Sequence, residues 1–130
     1  MNELIAILIP LLIQIESGGN NRAVGDGGLA RGCLQIHKQC WEDGCRFLKK
    51  DWDYKTMSFD REKSIKIASA YLLHYGRYYE KKTHKKADLR ILSMIYNGGP
   101  FAYRENHKYH KKASKYADKV MSLHNKRKNN

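Results

Sequence analysis

With 130 residues, the chain is long enough for one domain around a sizeable core and too short for two. A hydrophobic content of 42% excludes a disordered chain, and two prolines with few β-branched clusters favour a mainly helical fold over a β-rich one. The net charge of +12 draws the protein towards polyanions, but it does not choose among nucleic acid, an anionic cell envelope and an acidic lipid surface.

Residues 2–17 read as a buried first helix, because Ile9, Leu12, Ile13 and Glu16 recur at i, i+3, i+4 and i+7 and share one face. Pro10 lies within this run, so the helix either kinks there or becomes regular there. Gly18 and Gly19 suit its end. The apolar stretch 4–15 is shorter than the roughly 20 residues that cross a bilayer. Glu3 precedes it in place of Lys or Arg, and no small-residue cleavage pattern follows. It is therefore read as neither a transmembrane segment nor a signal peptide, and export would need another route, such as lysis or delivery in a particle.

Residues 20–32 are glycine-rich and polar. Within Gly25-Asp26-Gly27-Gly28 an Asp-Gly pair favours a tight turn, and the flanks Ala23-Val24 and Leu29-Ala30 suit a small hairpin. Residues 33–48 predict a helix with an irregular start, and 51–59 a loop. Asp60 suits the cap of the next helix, which carries Ile65, Ala68, Leu72, Tyr75 and Tyr79 along one side. A basic connector follows at 81–86. Leu89, Leu92, Ser93 and Tyr96 mark another helix that ends at Asn97-Gly98-Gly99-Pro100. The last helix spans about 109–124, with Tyr109, Ala113, Tyr116, Ala117, Val120 and His124 facing inward, before a frayed stretch at Lys126-Arg127-Lys128. The expected organisation is one domain over residues 1–125 and a basic tail over 126–130, with no internal repeat.

Glu16 departs from this pattern: it is a carboxylate that closes an apolar stripe just before a glycine break. Burial disfavours the charged form of a carboxyl and raises its pKa. An acid still protonated near neutral pH is what glycoside cleavage asks of its general acid. The plainer alternative is a surface Glu at a helix end, or one bonded to backbone amides of the glycine loop.

The words around Glu16 bear on that choice. Ile15-Glu16-Ser17-Gly18-Gly19-Asn20, then Ala30-Arg31-Gly32-Cys33-Leu34-Gln35-Ile36, then Ile95-Tyr96-Asn97-Gly98-Gly99-Pro100 resemble, in order and approximate spacing, the soluble lytic transglycosylases of the lysozyme superfamily. A weaker match at 64–73, with Tyr71-Leu72, is similar to the helix between those motifs, and 114–120 is similar to the closing segment. The likeness covers nearly the whole chain. It implies a mainly α, lysozyme-like single domain with a short hairpin or glycine-rich loop after the catalytic helix, and a groove for the glycan. It also implies that Glu16 is the catalytic acid. By the same resemblance, Ser17 and Gln35 line the groove and bond substrate or acid, Tyr96 and Asn97 sit opposite Glu16, and Tyr116 helps to position it. Each has a plainer alternative: Ser17 as a turn cap, Gln35 as a solvated helix-start residue, and Tyr96 and Tyr116 as core tyrosines.

Two departures from the family pattern matter. Cys33 stands where Leu or Met is usual, and a buried Cys serves there as a small hydrophobe. Asp26, in Gly25-Asp26-Gly27-Gly28 with Gly32 and Gln35, is similar to goose-type lysozymes, in which an aspartate of this loop helps a water attack. His37 falls where those enzymes often carry a second acid. The resemblance thus implies a peptidoglycan-degrading muramidase that cuts between N-acetylmuramic acid and N-acetylglucosamine. The leading version is a lytic transglycosylase leaving 1,6-anhydro-muramyl ends. The alternative is a lysozyme-type hydrolase in which Asp26 directs water, with two carboxyls about 6.5–9.5 Å apart if the enzyme inverts. The plainer reading of Asp26 is a turn former.

Three cysteines, an odd number, argue against a complete disulfide framework. The spacing of Cys33, His37, Cys40 and Cys45 fits no strong zinc pattern, and a Cys40–Cys45 disulfide has weak support. No metal or organic cofactor is expected. From residue 108 to 128 lysines alternate with tyrosines, as in a nucleic-acid reader, but the tyrosines fall on the inward stripe and the lysines on the outer face. The expected partners are peptidoglycan glycan strands and, through charge, the anionic bacterial envelope, with no specific nucleic acid; a monomer is expected. A small basic chain without a recognised signal peptide suits a phage lysis or virion enzyme acting on the cell wall, made in the host cytoplasm or carried in the particle. From another class, the rival is a catalytically silent basic module that binds glycan or nucleic acid.

Overall fold

The structure, a computed structural model, describes residues 1–129 and is mainly helical with one short hairpin. Its elements are α1 (Asn2–Ser17), β1 (Val24–Gly25), β2 (Ala30–Arg31), α2 (Lys38–Leu48), α3 (Tyr54–Met57), α4 (Arg61–Thr83), α5 (Leu89–Gly98) and α6 (His110–Lys128). They form two compact units. Leu12–Tyr71 is one; Met1–Leu11 with Leu72–Asn130 is the other, so α1 and α4 each supply residues to both.

In the unit Leu12–Tyr71, the core gathers Leu12, Ile13, Leu34, Ile36, Trp41, Ile67 and Ala68, all buried. Helix α2 approaches α4 closely because Gly44 carries no side chain: a Cβ there would lie 2.8 Å from Ile67 Cγ2 and 3.0 Å from the Ile67 carbonyl oxygen. The hairpin is present one residue later than expected. Val24 pairs with Arg31 and Gly25 with Ala30, and the turn between them is a single 3-10 turn over Asp26–Gly28. Residues 33–37 are not an irregular helix start. They form a turn closed by a bridge between Arg31 and Ile36, and α2 begins only at Lys38.

Part of the expected loop at 51–59 is the short helix α3. Asp53 caps it by accepting the Thr56 N–H at 3.1 Å, and the Trp41 indole donates to the Trp52 carbonyl at 2.7 Å. Asp60 caps α4 as expected, accepting the Lys63 N–H at 2.8 Å.

In the other unit the core comprises Ile5, Leu8, Leu11, Leu72, Leu89, Leu92, Ile95 and Val120, with Met94, Ala102, Ala113 and Ala117 where α5 meets α6. Asp88 caps α5, and Glu80 holds the connector before it by accepting the Ala87 N–H at 2.8 Å. Two expectations for the last helix need correction. It continues through Lys126-Arg127-Lys128, which are helical although exposed, and Tyr109 is exposed instead of facing inward. Of the expected tail, Asn130 lies outside the described residues. Pro10 sits on the exposed side of α1, and the helix is continuous through it. Among the described residues no helix is long and apolar enough to cross a membrane.

Candidate active site

Four of the seven residues singled out from the sequence, Glu16, Ser17, Asp26 and Gln35, belong to the unit Leu12–Tyr71; Tyr96, Asn97 and Tyr116 belong to the other. Glu16 is half-buried on the last turn of α1. The helix ends directly after it because Gly18 and Gly19 take left-handed backbone, φ 63° and 95°, which costs glycine nothing.

Ser17 does more than cap a turn. Its hydroxyl accepts the Gly19 N–H at 3.1 Å and lies 2.7 Å from the Cys33 carbonyl, to which it donates. The first motif is thereby bonded to the second. Cys33 is buried, as expected of a small hydrophobe.

Gln35 is neither a solvated helix start nor free to reach outward with its amide nitrogen. It lies in a turn with φ 49°, and its NH2 group donates to the Ala23 and Gly32 carbonyls, each at 3.0 Å. The pair of bonds closes the glycine loop on itself. Gly25 leaves room for the Gln35 side-chain oxygen, which a Cβ would strike. Gly32 is demanded twice over: its φ is 80°, and a Cβ would lie 2.6 Å from the Ser58 carbonyl oxygen.

Asp26 stands on the exposed 3-10 turn with φ 49°, and its carboxylate meets His37 Nε2 at 3.0 Å. Two-thirds of its side-chain surface is exposed. This fits the turn-forming reading, with His37 holding the loop across its mouth. Beside it Arg31 lies over the rings of Tyr54 and Phe59, and the Tyr54 hydroxyl donates within 2.6 Å of the Ile36 carbonyl. Arg31, His37, Trp41, Trp52 and Tyr54 help to line a groove of about 980 Å³ in this unit. Composition gave no signal for it, because its members lie in separate stretches of chain.

In the other unit the glycines of Asn97-Gly98-Gly99-Pro100 have separate tasks. Gly99, φ 99°, closes α5 by returning its N–H to the Ile95 carbonyl at 3.0 Å. Gly98 lets chain approach chain: a Cβ there would lie 2.6 Å from Ala102 Cβ and 3.1 Å from Ala113 Cβ. Tyr96 and Tyr116 are half-buried, as is Asn97, whose side-chain oxygen is buried without a hydrogen-bond partner among the described residues. Asn97 and Tyr116 line a cavity of about 670 Å³ together with Lys108, Lys111, Lys112, Lys115 and Lys119. These lysines are all exposed, as expected of the outer face of α6, and they border an open concavity that Asn97 and Tyr116 also line.

The three cysteines are free thiols, so the suggested Cys40–Cys45 disulfide is absent. Burial, with the Asp43 charge adding to it, pushes the Cys40 thiol up to about 12; burial also raises Cys33 and Cys45.

Against known proteins, the sequence model of the family described as Transglycosylase SLT domain matches residues 1–119. No curated protein and no solved structure matches the chain.

Proposed function

The chain belongs to the transglycosylase SLT domain family and is an enzyme of the peptidoglycan lytic transglycosylase type, and from that premise we propose that Glu16 is its general acid and then its base. The supporting observation is the 2.7 Å bond from the Ser17 hydroxyl to the Cys33 carbonyl. It ties the end of α1 to the Gly32–Ile36 turn, and so holds the residue before Ser17 against a loop that is itself closed by Gln35. An acid held on a rigid element has a fixed direction in which to deliver a proton.

In the proposed reaction the Glu16 carboxyl gives its proton to the oxygen bridging N-acetylmuramic acid and N-acetylglucosamine as the bond from that oxygen to C1 breaks. The departing sugar leaves with a hydroxyl group. The acetamido oxygen of the muramyl residue supports the electron-poor C1. Glu16, now a carboxylate, takes the proton of the muramyl C6 hydroxyl, whose oxygen bonds to C1. The product is a 1,6-anhydro end, no water is consumed, and Glu16 regains its proton. Tyr96, Asn97 and Tyr116 are proposed as substrate contacts on the resemblance of their motifs.

Hydrolysis with Asp26 directing water is the rival chemistry. The exposure of Asp26 and its bond to His37 support the turn-forming role instead. Mass spectrometry of digested peptidoglycan separates the two, since anhydro-muramyl ends are lighter than reducing ends by one water. Anhydro ends from the wild type, a loss of at least about a hundredfold in Glu16→Gln, and Asp26→Asn activity within about threefold of the wild type are the expected results. Reducing ends together with an Asp26→Asn enzyme as weak as Glu16→Gln would establish the hydrolase instead.

A further inference from the structure

Tyr54, on α3, holds the segment that carries Cys33 and Gln35. Its hydroxyl lies 2.6 Å from the Ile36 carbonyl oxygen and 3.0 Å from that of Leu29. It donates its one hydrogen to this pair, and so clips together the two ends of Leu29–Ile36. The segment needs such a hold. Gly32 and Gln35 both take positive φ, 80° and 49°, and for Gln35 that backbone is strained. Arg31 and Ile36 close the turn from within by exchanging N–H to carbonyl bonds at 3.2 and 3.0 Å, while Tyr54 closes it from outside. The aim of the hydroxyl is itself fixed: the Tyr54 ring meets Trp41 edge-on at 5.9 Å, Arg31 lies over it at 5.1 Å, and Asp53 caps its helix. Burial pushes the phenol above its ordinary value against the opposing charge of Arg31, so it keeps its hydrogen at neutral pH.

We propose that Tyr54 is a positioning residue for glycan cleavage. The route lies wholly within the unit Leu12–Tyr71. Tyr54 sets Leu29–Ile36; that segment presents the Cys33 carbonyl, which accepts the Ser17 hydroxyl at 2.7 Å; and Ser17 directly follows Glu16 on the last turn of α1. The proposal rests on the reading of Glu16 as the acid. A side chain that merely packed against the hairpin would need only its ring. This role needs the hydroxyl, since without it the two carbonyls lose their shared donor and the strained turn is free to drift.

The test measures kcat and KM on soluble, uncross-linked peptidoglycan strands for the full chain and for Tyr54→Phe, Ser17→Ala and the two together. Tyr54→Phe keeps the ring contacts with Arg31 and Trp41 and loses only the hydroxyl. Each single change is expected to lower kcat about tenfold with KM within about twofold, because a displaced acid slows the chemical step and leaves strand binding alone. The double variant is expected to lose about tenfold as well, not the roughly hundredfold of independent effects, because both changes cut the same chain of contacts. Asp60→Ala, which removes a helix cap elsewhere in the same unit, is the control for a merely weaker fold and is expected to keep the wild-type kcat. A Tyr54→Phe kcat equal to the wild type, a loss carried by KM alone, multiplied losses in the double variant, or an equal kcat loss in Asp60→Ala would each overturn the proposal. Glu16→Gln separates it from the reading beneath it. Full activity there removes the acid to be positioned and overturns both, whereas an inactive Glu16→Gln beside a fully active Tyr54→Phe overturns the positioning role alone.

Discussion

The two glycine-bearing segments of this protein are held by opposite means. Around Gly18–Gln35 the backbone is bent into left-handed conformations and the polar side chains are spent on closing it: the Ser17 hydroxyl on Cys33, the Gln35 amide on Ala23 and Gly32, and Asp26 on His37. Around Asn97–Ala117 the chain is held by the packing of small groups, with Gly98 against Ala102 and Ala113. There the Asn97 oxygen has no hydrogen-bond partner, and Lys111, Lys112, Lys115 and Lys119 make no ion pair, among the described residues. Polar groups used up by the fold make a loop rigid, and polar groups the fold leaves unused can serve a ligand. The first segment is thus held by its own polar side chains and the second by close packing of small groups.

The sharpest way to break this comparison is to add one methyl group to each segment. Gly32→Ala meets both a left-handed φ and a backbone carbonyl at 2.6 Å, neither of which can yield. It should lower stability by roughly 3 kcal/mol. Gly98→Ala has a helical backbone and meets side-chain carbons only, Ala102, Ala113 and Tyr109 Cβ at 2.6, 3.1 and 3.4 Å, so a slight shift of α6 can relieve it and the loss should be about half as large. Urea unfolding of the two variants checks the order. If Gly98→Ala proved the worse, strained backbone would not be what distinguishes the first segment.

A smaller effect separates spent polar groups from unspent ones. Ser17→Ala leaves the Cys33 carbonyl without its donor and should cost about 1–2 kcal/mol. Asn97→Leu removes an acceptor that was already unpartnered, so thermal or urea unfolding should find it nearly neutral or slightly more stable. A large loss of stability in Asn97→Leu would show that its oxygen serves the fold after all.

The same distinction explains what could be read from the sequence. Helical periodicity placed α1, α4, α5 and most of α6 because their cores are contiguous apolar stripes such as Ile9, Leu12 and Ile13, all buried. Asp60 announced its cap by residue type. The hairpin was legible from Asp26-Gly27, but its register was not, since bonds from Gln35 to Ala23 and from Tyr54 to Leu29 and Ile36 fix it from outside the strands. Helix α3 escaped because one turn capped by Asp53 has no periodicity to show. In the candidate site, Glu16 stood out as a carboxylate on an apolar stripe. The roles of Ser17 and Gln35 did not, because each depends on a carbonyl distant in sequence. The lysine-lined cavity was hidden for a related reason: spacing marks a common helix face but cannot say whether that face is convex or concave.

The smallest expected effect concerns the cap of α4, where the first segment's economy of polar groups extends to a charge. Asp60 Oδ1 accepts the Lys63 N–H at 2.8 Å and Oδ2 lies 3.6 Å from the Lys63 ammonium. The backbone bond first, and the nearby ammonium with it, favour the ionised form and hold the carboxyl below its ordinary value of 3.8. A carboxyl that is harder to protonate folded than unfolded adds stability that is whole above the unfolded value and is lost as pH falls through the lower folded one. Asp60→Ala should therefore melt a few degrees below the wild type at neutral pH, with the gap unchanged down to about pH 5. Below 3.8 the gap should narrow, because the wild-type carboxyl then takes up its proton and keeps only a neutral acceptor for the Lys63 N–H. Melting curves of both proteins across that range read this directly. A gap that stays constant to the acid limit would mean that the cap works through hydrogen bonding alone, and that charge at this helix start contributes nothing to holding the segment.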